Sequence, residues 1–204
     1  MSIDYTKLAD PSTVERAMEA MRARGVSAEH VATGKEALRK IIATIPDGAS
    51  VMSGGSLSLE TIGFTAHLKE QSDWVNLKAG INREDDAAER LRMRREATMA
   101  DYFLGSVHAV AETGEVVTAS HTGSQLAAYA YSARHVIWVI GTNKIVPTLD
   151  DALRRVRDYV VPRHKARLAE KGGDTFSGKQ LIVEREDSEN HQIHVIFVDE
   201  VLGY

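Results

Sequence analysis

Three apolar segments of this chain each run directly into a loop of glycine and hydroxyl-bearing residues. The first loop spans residues 53–58, the second residues 120–125 and the third residues 141–144. An apolar run that stops at such a loop is typical of a buried strand that gives way to a helix. Because ligands of open α/β sheets collect at the carboxyl ends of the strands, the three loops predict a pocket for a small polar or anionic metabolite.

Composition restricts the classes of protein to which this chain can belong. Its 43% hydrophobic and 26% charged residues are ordinary for a globular protein of 204 residues. The absence of cysteine excludes disulfides, thiol nucleophiles and iron–sulfur ligation by the chain itself, so we expect no intrinsic cofactor. The net charge of −4 argues against a nucleic-acid partner. No apolar run approaches the roughly 20 residues that span a bilayer, and no secretory leader is recognisable, so we expect a cytoplasmic protein without membrane contact.

Hydrophobic periodicity predicts helices that alternate with short strands. A helix over residues 12–24 and a second helix after Thr33, which begins with the capping-box sequence Thr33-Gly34-Lys35-Glu36, precede the strands. From Ala49 onward, short apolar strands alternate with helices, and residues 135–140 are the clearest buried strand. A turn at Thr113-Gly114 joins two further strands.

This order of elements predicts an α/β fold with a largely parallel sheet and helices on both faces. Residues 1–30 are expected to form an N-terminal helical extension, and residues 31–204 the main domain. At the C-terminus, residues 180–183 and 194–198 are predicted to pair as an antiparallel hairpin.

The loops supply the candidate ligand-binding residues. Glycines allow the backbone to approach a ligand, and the helix that follows the first loop, predicted over residues 57–69, points free N–H groups at it. The alternative interpretation is a tight strand-to-helix turn with capping serines. With the two histidines nearest the loops, the candidates are Ser53, Gly54, Gly55, Ser56, Ser58, His108, His121, Thr122, Gly123, Ser124, Gln125, Gly141 and Asn143.

Glu60 and Lys144 are the candidate catalytic residues. Glu60, near the start of the helix after the first loop, is placed to act as a general base or to bind a ligand hydroxyl. Lys144 is placed to neutralise an anion or to act as an acid. Alternatively, Glu60 stabilises the helix dipole and Lys144 is an ordinary surface lysine.

Other charged and histidine-rich segments carry no separate site. His191 and His194 are three residues apart on a predicted strand and therefore point to opposite faces, so no metal site is expected. The basic clusters at residues 90–95 and 163–167 are interpreted as solvated helix faces.

Four central segments resemble the LUD (lactate utilisation) domain family, and the resemblance extends from about residue 30 to the C-terminus. The segments that carry it are residues 101–110, 112–115, 122–130 and 136–146, supported by residues 53–63 and 200–204. The resemblance implies a fold like those of ribose-5-phosphate isomerase A, glucosamine-6-phosphate deaminase and the CoA transferases.

The resemblance also implies a role like that of lactate utilisation protein C, an accessory or subunit protein of L-lactate oxidation that works alongside two iron–sulfur proteins. The lack of cysteine agrees with clusters that reside in those partners. The middle of the chain is similar to methylthioribose-1-phosphate isomerase, where a Gly-Ala-Asp stretch supplies the catalytic aspartate. This chain has Gly105-Ser106-Val107-His108 at that place.

Two other functions remain open at this point. The first is a free-standing isomerase, transferase or hydrolase that acts on a sugar phosphate or acyl-CoA, with Glu60 and Lys144 as acid–base groups. The second is a non-catalytic ligand sensor. The sequence also leaves the oligomeric state open, a homo-oligomer included.

Overall fold

The computed structural model describes residues 3–70, 73–170, 172 and 178–204, and these form ten strands and nine helices. The strands are β1 (Ser27–Val31), β2 (Ser50–Ser53), β3 (Val75–Asn76), β4 (Tyr102–Gly105), β5 (Ala109–Ala111), β6 (Val116–Ser120), β7 (His135–Gly141), β8 (Ile145–Val146), β9 (Lys179–Val183) and β10 (Gln192–Val198). The helices are α1 (Pro11–Ala23), α2 (Gly34–Thr44), α3 (Leu57–Thr61), α4 (Phe64–Glu70), α5 (Leu77–Arg83), α6 (Ala87–Glu96), α7 (Ser124–Ala127), α8 (Leu149–Arg155) and α9 (Val161–Glu170). Short 3-10 turns occur at Ala97–Met99 and Thr142–Lys144, and π-helical turns at Ala128–Ser132 and Val156–Val160. Across the described ranges, no helix combines the length and apolar character that crossing a membrane requires.

Six parallel strands form the main sheet, in the order β1-β10-β7-β4-β2-β3. Both faces of this sheet are covered, which explains why its central strands are apolar without alternation. In β7, Val136, Trp138 and Ile140 pack into one hydrophobic core with α1. Ile137 and Val139 pack into a second core with α2, α3 and α4. The predicted fold class, a largely parallel α/β sheet with helices on both faces, is confirmed.

Four strands form a second, smaller sheet in the order β8-β5-β6-β9. Strands β5 and β6 are antiparallel and are joined through Thr113-Gly114, as predicted. Val110 and Val116 pack on the inner side of this sheet, in the core that also contains α1. Ala109 and Val117 pack on its outer side, against α8. The second sheet is therefore an additional layer between the main sheet and the last helices.

The predicted C-terminal hairpin is wrong, because its two strands belong to different sheets. Strand β9 lies at the edge of the second sheet beside β6, whereas β10 lies inside the main sheet, parallel to both β1 and β7. Ile193, Val195 and Phe197 of β10 face the core that contains α1, and Ile196 and Val198 face the other core. An apolar run buried on both faces is typical of a central parallel strand.

The N-terminal segment shares the core of the domain. Helix α1 buries the face of Val14, Ala17, Met18 and Met21 against the main sheet, as its periodicity predicts. Strand β1, which the sequence analysis does not predict, forms one edge of that sheet beside β10. Residues 3–30 are therefore packed as part of the same unit that the later elements build.

The last helical stretch runs from α8 through the π-helical turn into α9. Thr148 caps its start, since its hydroxyl accepts the backbone N–H of Asp151 at 3.2 Å. Pro162 lacks an N–H donor, and the wider π-helical turn ends two residues before it, at Val160. Val160, His164 and Arg167 follow one another at intervals of four and three residues and so lie on one side of the helix.

Gly105 is a position where a side chain does not fit. A Cβ there would lie 1.6 Å from the hydroxyl oxygen of Tyr129. Tyr129 is buried and packs edge-on against Phe103 and Trp138, which hold its ring in place on two sides. We expect Gly105→Ala to lower the free energy of unfolding by about 1–3 kcal/mol, the usual cost of overpacking, in a urea titration.

Gly55→Ala is the matched control, because a Cβ at Gly55 would meet no atom within 4 Å. Its free energy of unfolding should stay within about 0.5 kcal/mol of the wild-type value. Equal stabilities of the two variants would contradict the assigned packing of Tyr129.

Candidate functional site

A cavity of about 250 Å³ lies where the carboxyl ends of β2, β4 and β7 meet the loop that follows β6. Parallel strands end at the same edge of a sheet, which brings the loops after them together. Most of the residues predicted from the loops line this cavity. They are Gly54, Gly55, Ser56, Ser58, His108, His121, Thr122, Ser124, Gln125 and Lys144.

Lys144 lies on the buried side of the cavity, in the turn after β7, and only 3% of it is exposed. Its Nζ lies 3.2 Å from Ser58 Oγ, 3.0 Å from Ser106 Oγ and 3.1 Å from the carbonyl oxygen of Val107. Among the described residues, no carboxylate forms an ion pair with it. The alternative of an ordinary surface lysine is therefore excluded.

Burial and, to a smaller extent, the positive charge of nearby Arg155 together lower the pKa of Lys144 to about 7. The amine is thus present in both protonation states near neutral pH. Arg155 is itself fully buried and packs against the adjacent rings of Tyr5 and Tyr159, whose centroids lie 5.4 and 5.2 Å from its guanidinium carbon. Burial lowers the pKa of Arg155 to about 10, so it keeps its charge at neutral pH.

His108 has a fixed tautomer. Its Nδ1 accepts the backbone N–H of Ala119 at 3.0 Å and lies 3.2 Å from the hydroxyl of Thr118. Burial and the charges of Lys144 and Arg155 lower the pKa of His108 to about 3, so the ring is neutral and carries its proton on Nε2. His108 therefore brings a neutral N–H donor to the wall of the cavity.

The rim of the cavity is formed by α9 and the C-terminal residues. His164, Arg167 and Tyr204 line it, and His164 Nδ1 lies 2.7 Å from the Tyr204 hydroxyl. Burial lowers the pKa of His164, and the charges of Arg167 and His121 act in the same direction. The interpretation of residues 163–167 as a solvated face is wrong for His164 and Arg167, because their spacing from buried Val160 places them toward the cavity. The helical spacing of Val160, His164 and Arg167 is the sequence pattern that could have indicated this.

Ser106 and Tyr129 also line the cavity and were not predicted. The Ser106 hydroxyl donates to the carbonyl oxygen of Val139 at 2.6 Å, which leaves its lone pairs free to accept from Lys144. The Tyr129 hydroxyl donates to the Ser106 carbonyl oxygen at 3.4 Å. Ser106 follows β4 directly, so the rule that ligands collect at strand ends could have indicated it.

The first loop is supported from both sides. The Ser56 hydroxyl accepts the N–H of Leu59 at 3.3 Å and so caps α3. The helix predicted over residues 57–69 is divided into α3 and α4 at Gly63, which has a φ of +84°. Gly54 lies against Gln125 of the second loop, since a Cβ on Gly54 would be 2.7 Å from Gln125 Oε1. Ser53 is buried but does not line the cavity.

Several predicted residues lie outside the cavity lining and have other contacts. Glu60 is exposed, so the structure does not bring it together with Lys144. The side-chain oxygen of Asn143 accepts the N–H of Leu202 at 3.3 Å and holds the C-terminal segment. A Cβ on Gly141 would lie 2.5 Å from a backbone oxygen of that same segment. Gly123 adopts a φ of +85° in the turn before α7.

The charge of the lining suits an anion. Lys144 and Arg167 supply positive charge, and serine, threonine and tyrosine hydroxyls supply hydrogen-bond donors, whereas no described lining residue is an aspartate or glutamate. Within the described ranges, no three histidine, aspartate or glutamate side chains are grouped so as to hold a metal ion.

The burial of Lys144 makes the stability of the fold depend on pH. Between about pH 7 and the ordinary lysine value of 10.5, the unfolded chain binds more protons at Lys144 than the folded chain, so the free energy of unfolding rises with pH. Lys144→Met removes this dependence. We expect the stability of the wild type relative to Lys144→Met to rise by roughly 1–3 kcal/mol from pH 7 to pH 9, measured by urea unfolding.

Lys165→Met serves as the control, since Lys165 is an exposed lysine on α9. The stability curve of this variant should run parallel to that of the wild type. A parallel curve for Lys144→Met as well would show that the Lys144 amine does not titrate in this range.

Comparison with known proteins identifies the family. A DUF162 family protein from Deinococcus radiodurans, known from a crystal structure at 1.70 Å resolution, is similar with a TM-score of 0.54 and 15% sequence identity. The match covers 94% of this chain and 99% of that chain, and at this identity it shows a shared fold. A search of the curated proteins finds no match. The family model of the LUD domain matches residues 14–198, which is most of the sequence. This chain therefore belongs to the LUD domain family.

Proposed function

We propose that this LUD domain chain binds a small organic anion in the cavity and supports the oxidation of lactate or a similar organic acid, with iron–sulfur proteins as its electron-carrying partners. The observation that carries the proposal is the lining, in which Lys144 and Arg167 are cations and no described lining residue is an aspartate or glutamate. A site of this charge favours anions and disfavours cations, because like charges repel strongly where water is excluded.

The size of the cavity favours a small metabolite. Its volume of about 250 Å³ is below the range of roughly 300–1,000 Å³ that encloses drug-sized ligands. A hydroxy or oxo acid of a few carbons fits within it. An acyl-CoA would have to leave most of its length outside.

The proposed partners follow from redox chemistry. Oxidation of a hydroxy acid releases two electrons, and a chain without cysteine has no ligands for an iron–sulfur cluster of the usual kind. The name of the LUD family supports lactate as the acid. The electrons would pass through other proteins, while this chain contributes the anion site.

Ligand binding tests the proposal directly. We expect L-lactate or pyruvate to raise the melting temperature, because a ligand at 100 times its dissociation constant stabilises the folded state by about 2.7 kcal/mol. Arg167→Gln should weaken the binding roughly tenfold or more, since hydrogen bonds to charged groups contribute about 1.5–3 kcal/mol. Differential scanning fluorimetry followed by isothermal titration calorimetry measures both effects.

Arg157→Gln is the matched control, because Arg157 is exposed and lies outside the lining on the same helical stretch. It removes the same charge and should leave the affinity unchanged. Failure of lactate, pyruvate and other small anions to bind the wild type would end the proposal.

A free-standing enzyme is the second candidate function, and the buried amine of Lys144 favours it. An amine whose pKa is lowered to about 7 can accept and return a proton at neutral pH, as acid–base catalysis requires. Because Glu60 lies outside the lining, Lys144 would have to work without it. The substrate would then be a small sugar phosphate or the acyl end of a thioester.

Growth on lactate separates the two candidates. Under the leading proposal, deletion of the gene abolishes growth on L-lactate as the carbon source, and a wild-type copy restores it. A copy with Arg167→Gln restores it less well than one with Arg157→Gln. Unimpaired growth of the deletion strain would favour the second candidate.

A further inference from the structure

Lys144 and Arg155 are buried cations, and no aspartate or glutamate of the described residues is buried with them. The positive charge of Arg155 disfavours the ammonium form of Lys144. Arg155 donates through Nη1 to the carbonyl oxygen of His108, while its Nε and Nη2 have no hydrogen-bond partner among the described residues. A buried charge is costly unless an opposite charge compensates it. A negative charge that enters the cavity would therefore stabilise the charged form of Lys144.

The hydrogen bonds around Lys144 can be satisfied in two protonation states. As an ammonium, Lys144 has three N–H donors for three acceptors, which are Ser58 Oγ, Ser106 Oγ and the carbonyl oxygen of Val107. The Ser58 hydroxyl then donates to the carbonyl oxygen of Leu202 at 3.3 Å. As a neutral amine, Lys144 donates to Ser106 and Val107 and accepts from the Ser58 hydroxyl. Only the hydroxyl hydrogen of Ser58 has to rotate between the two states.

The titratable and charged side chains around this lysine are His108, His164, Arg155, Arg167 and the exposed His121. His108 is neutral because its pKa is lowered to about 3, and His164, hydrogen-bonded to Tyr204, has a pKa below the ordinary histidine value. Arg155 and Arg167 remain charged, as guanidinium groups do in proteins. Of the lining residues with a cationic side chain, Lys144 is the buried one, so its charge is the one that a nearby anion stabilises most.

We propose that the cavity takes up its anion together with one proton, which Lys144 holds as an ammonium hydrogen-bonded to Ser58, Ser106 and Val107. This inference rests on the proposed function, because it concerns the same anion site. The inference also specifies the chemistry of the ligand. The ligand stays ionised when it binds, as a carboxylate does, and the protein gains the proton. The proton comes from solvent and leaves with the anion, so the overall charge of the site is conserved.

A consequence of this proton uptake is a pH-dependent affinity. At pH values above the pKa of Lys144, the amine must gain a proton each time an anion binds. The affinity for the anion therefore falls about tenfold for each further pH unit. A carboxylate that binds to permanently charged groups alone would keep a constant affinity over the same range.

Isothermal titration calorimetry on the full chain tests the proposal, with sulfate and pyruvate as probes because both stay ionised between pH 6 and 9. Titrations at pH 8 in two buffers of different ionisation enthalpy report the protons taken up. We expect about one proton for each anion bound by the wild type. Lys144→Arg keeps the positive charge without titrating, so it should bind with no proton uptake and with an affinity that is flat from pH 7 to 9.

Lys165→Arg, an exposed site on α9, should behave as the wild type does. Anion binding by the wild type without proton uptake at pH 8 overturns the inference and leaves the proposed function intact. Absence of any anion binding at pH 6 overturns the proposed function, and this inference with it. Proton uptake that persists in Lys144→Arg would assign the proton to another group and overturn the role of Lys144.

Discussion

The common alignment of parallel strands at one edge of the main sheet is the constraint on which the cavity depends. Strand β2 pairs with β4 as far as Ser53 with Leu104, and β4 pairs with β7 as far as Gly105 with Trp138, so the carboxyl ends of the three strands point to the same edge. Burial on both faces fixes this register, because a shift by one residue would turn each side chain of a strand from one core to the other. Ser106 and Lys144 are therefore delivered to one place by backbone pairing.

The sequence predicts those helices, strands and turns whose local residue pattern agrees with their surroundings in the fold. Helix α1, the buried strand β7 and the turn at Thr113-Gly114 have local signals that the structure bears out. Strand β10 is different, because an apolar run near the C-terminus does not reveal which neighbours it will have. Its position between β1 and β7 depends on pairing with Ser27–Val31, far away in the sequence.

The site was predictable where it follows strand ends and unpredictable where distant elements close over it. The loops after β2 and β6 and Lys144 after β7 were expected, yet the burial of Lys144 depends on Ser58, Ser106 and the C-terminal segment around Leu202. Asn143 looked like a binding residue but uses its side chain to hold that segment. Local composition contains no information on such long-range contacts.

Residues 106–108 link β4 of the main sheet to β5 of the second sheet, and all three, Ser106, Val107 and His108, line the cavity. A bound molecule that contacts these residues would touch one of the covalent connections between the two sheets. Any local opening that separates the sheets would then break those contacts. Occupancy of the cavity should therefore slow amide hydrogen exchange in β5 and β6 as well as in β4, so the two layers would open as a single cooperative unit.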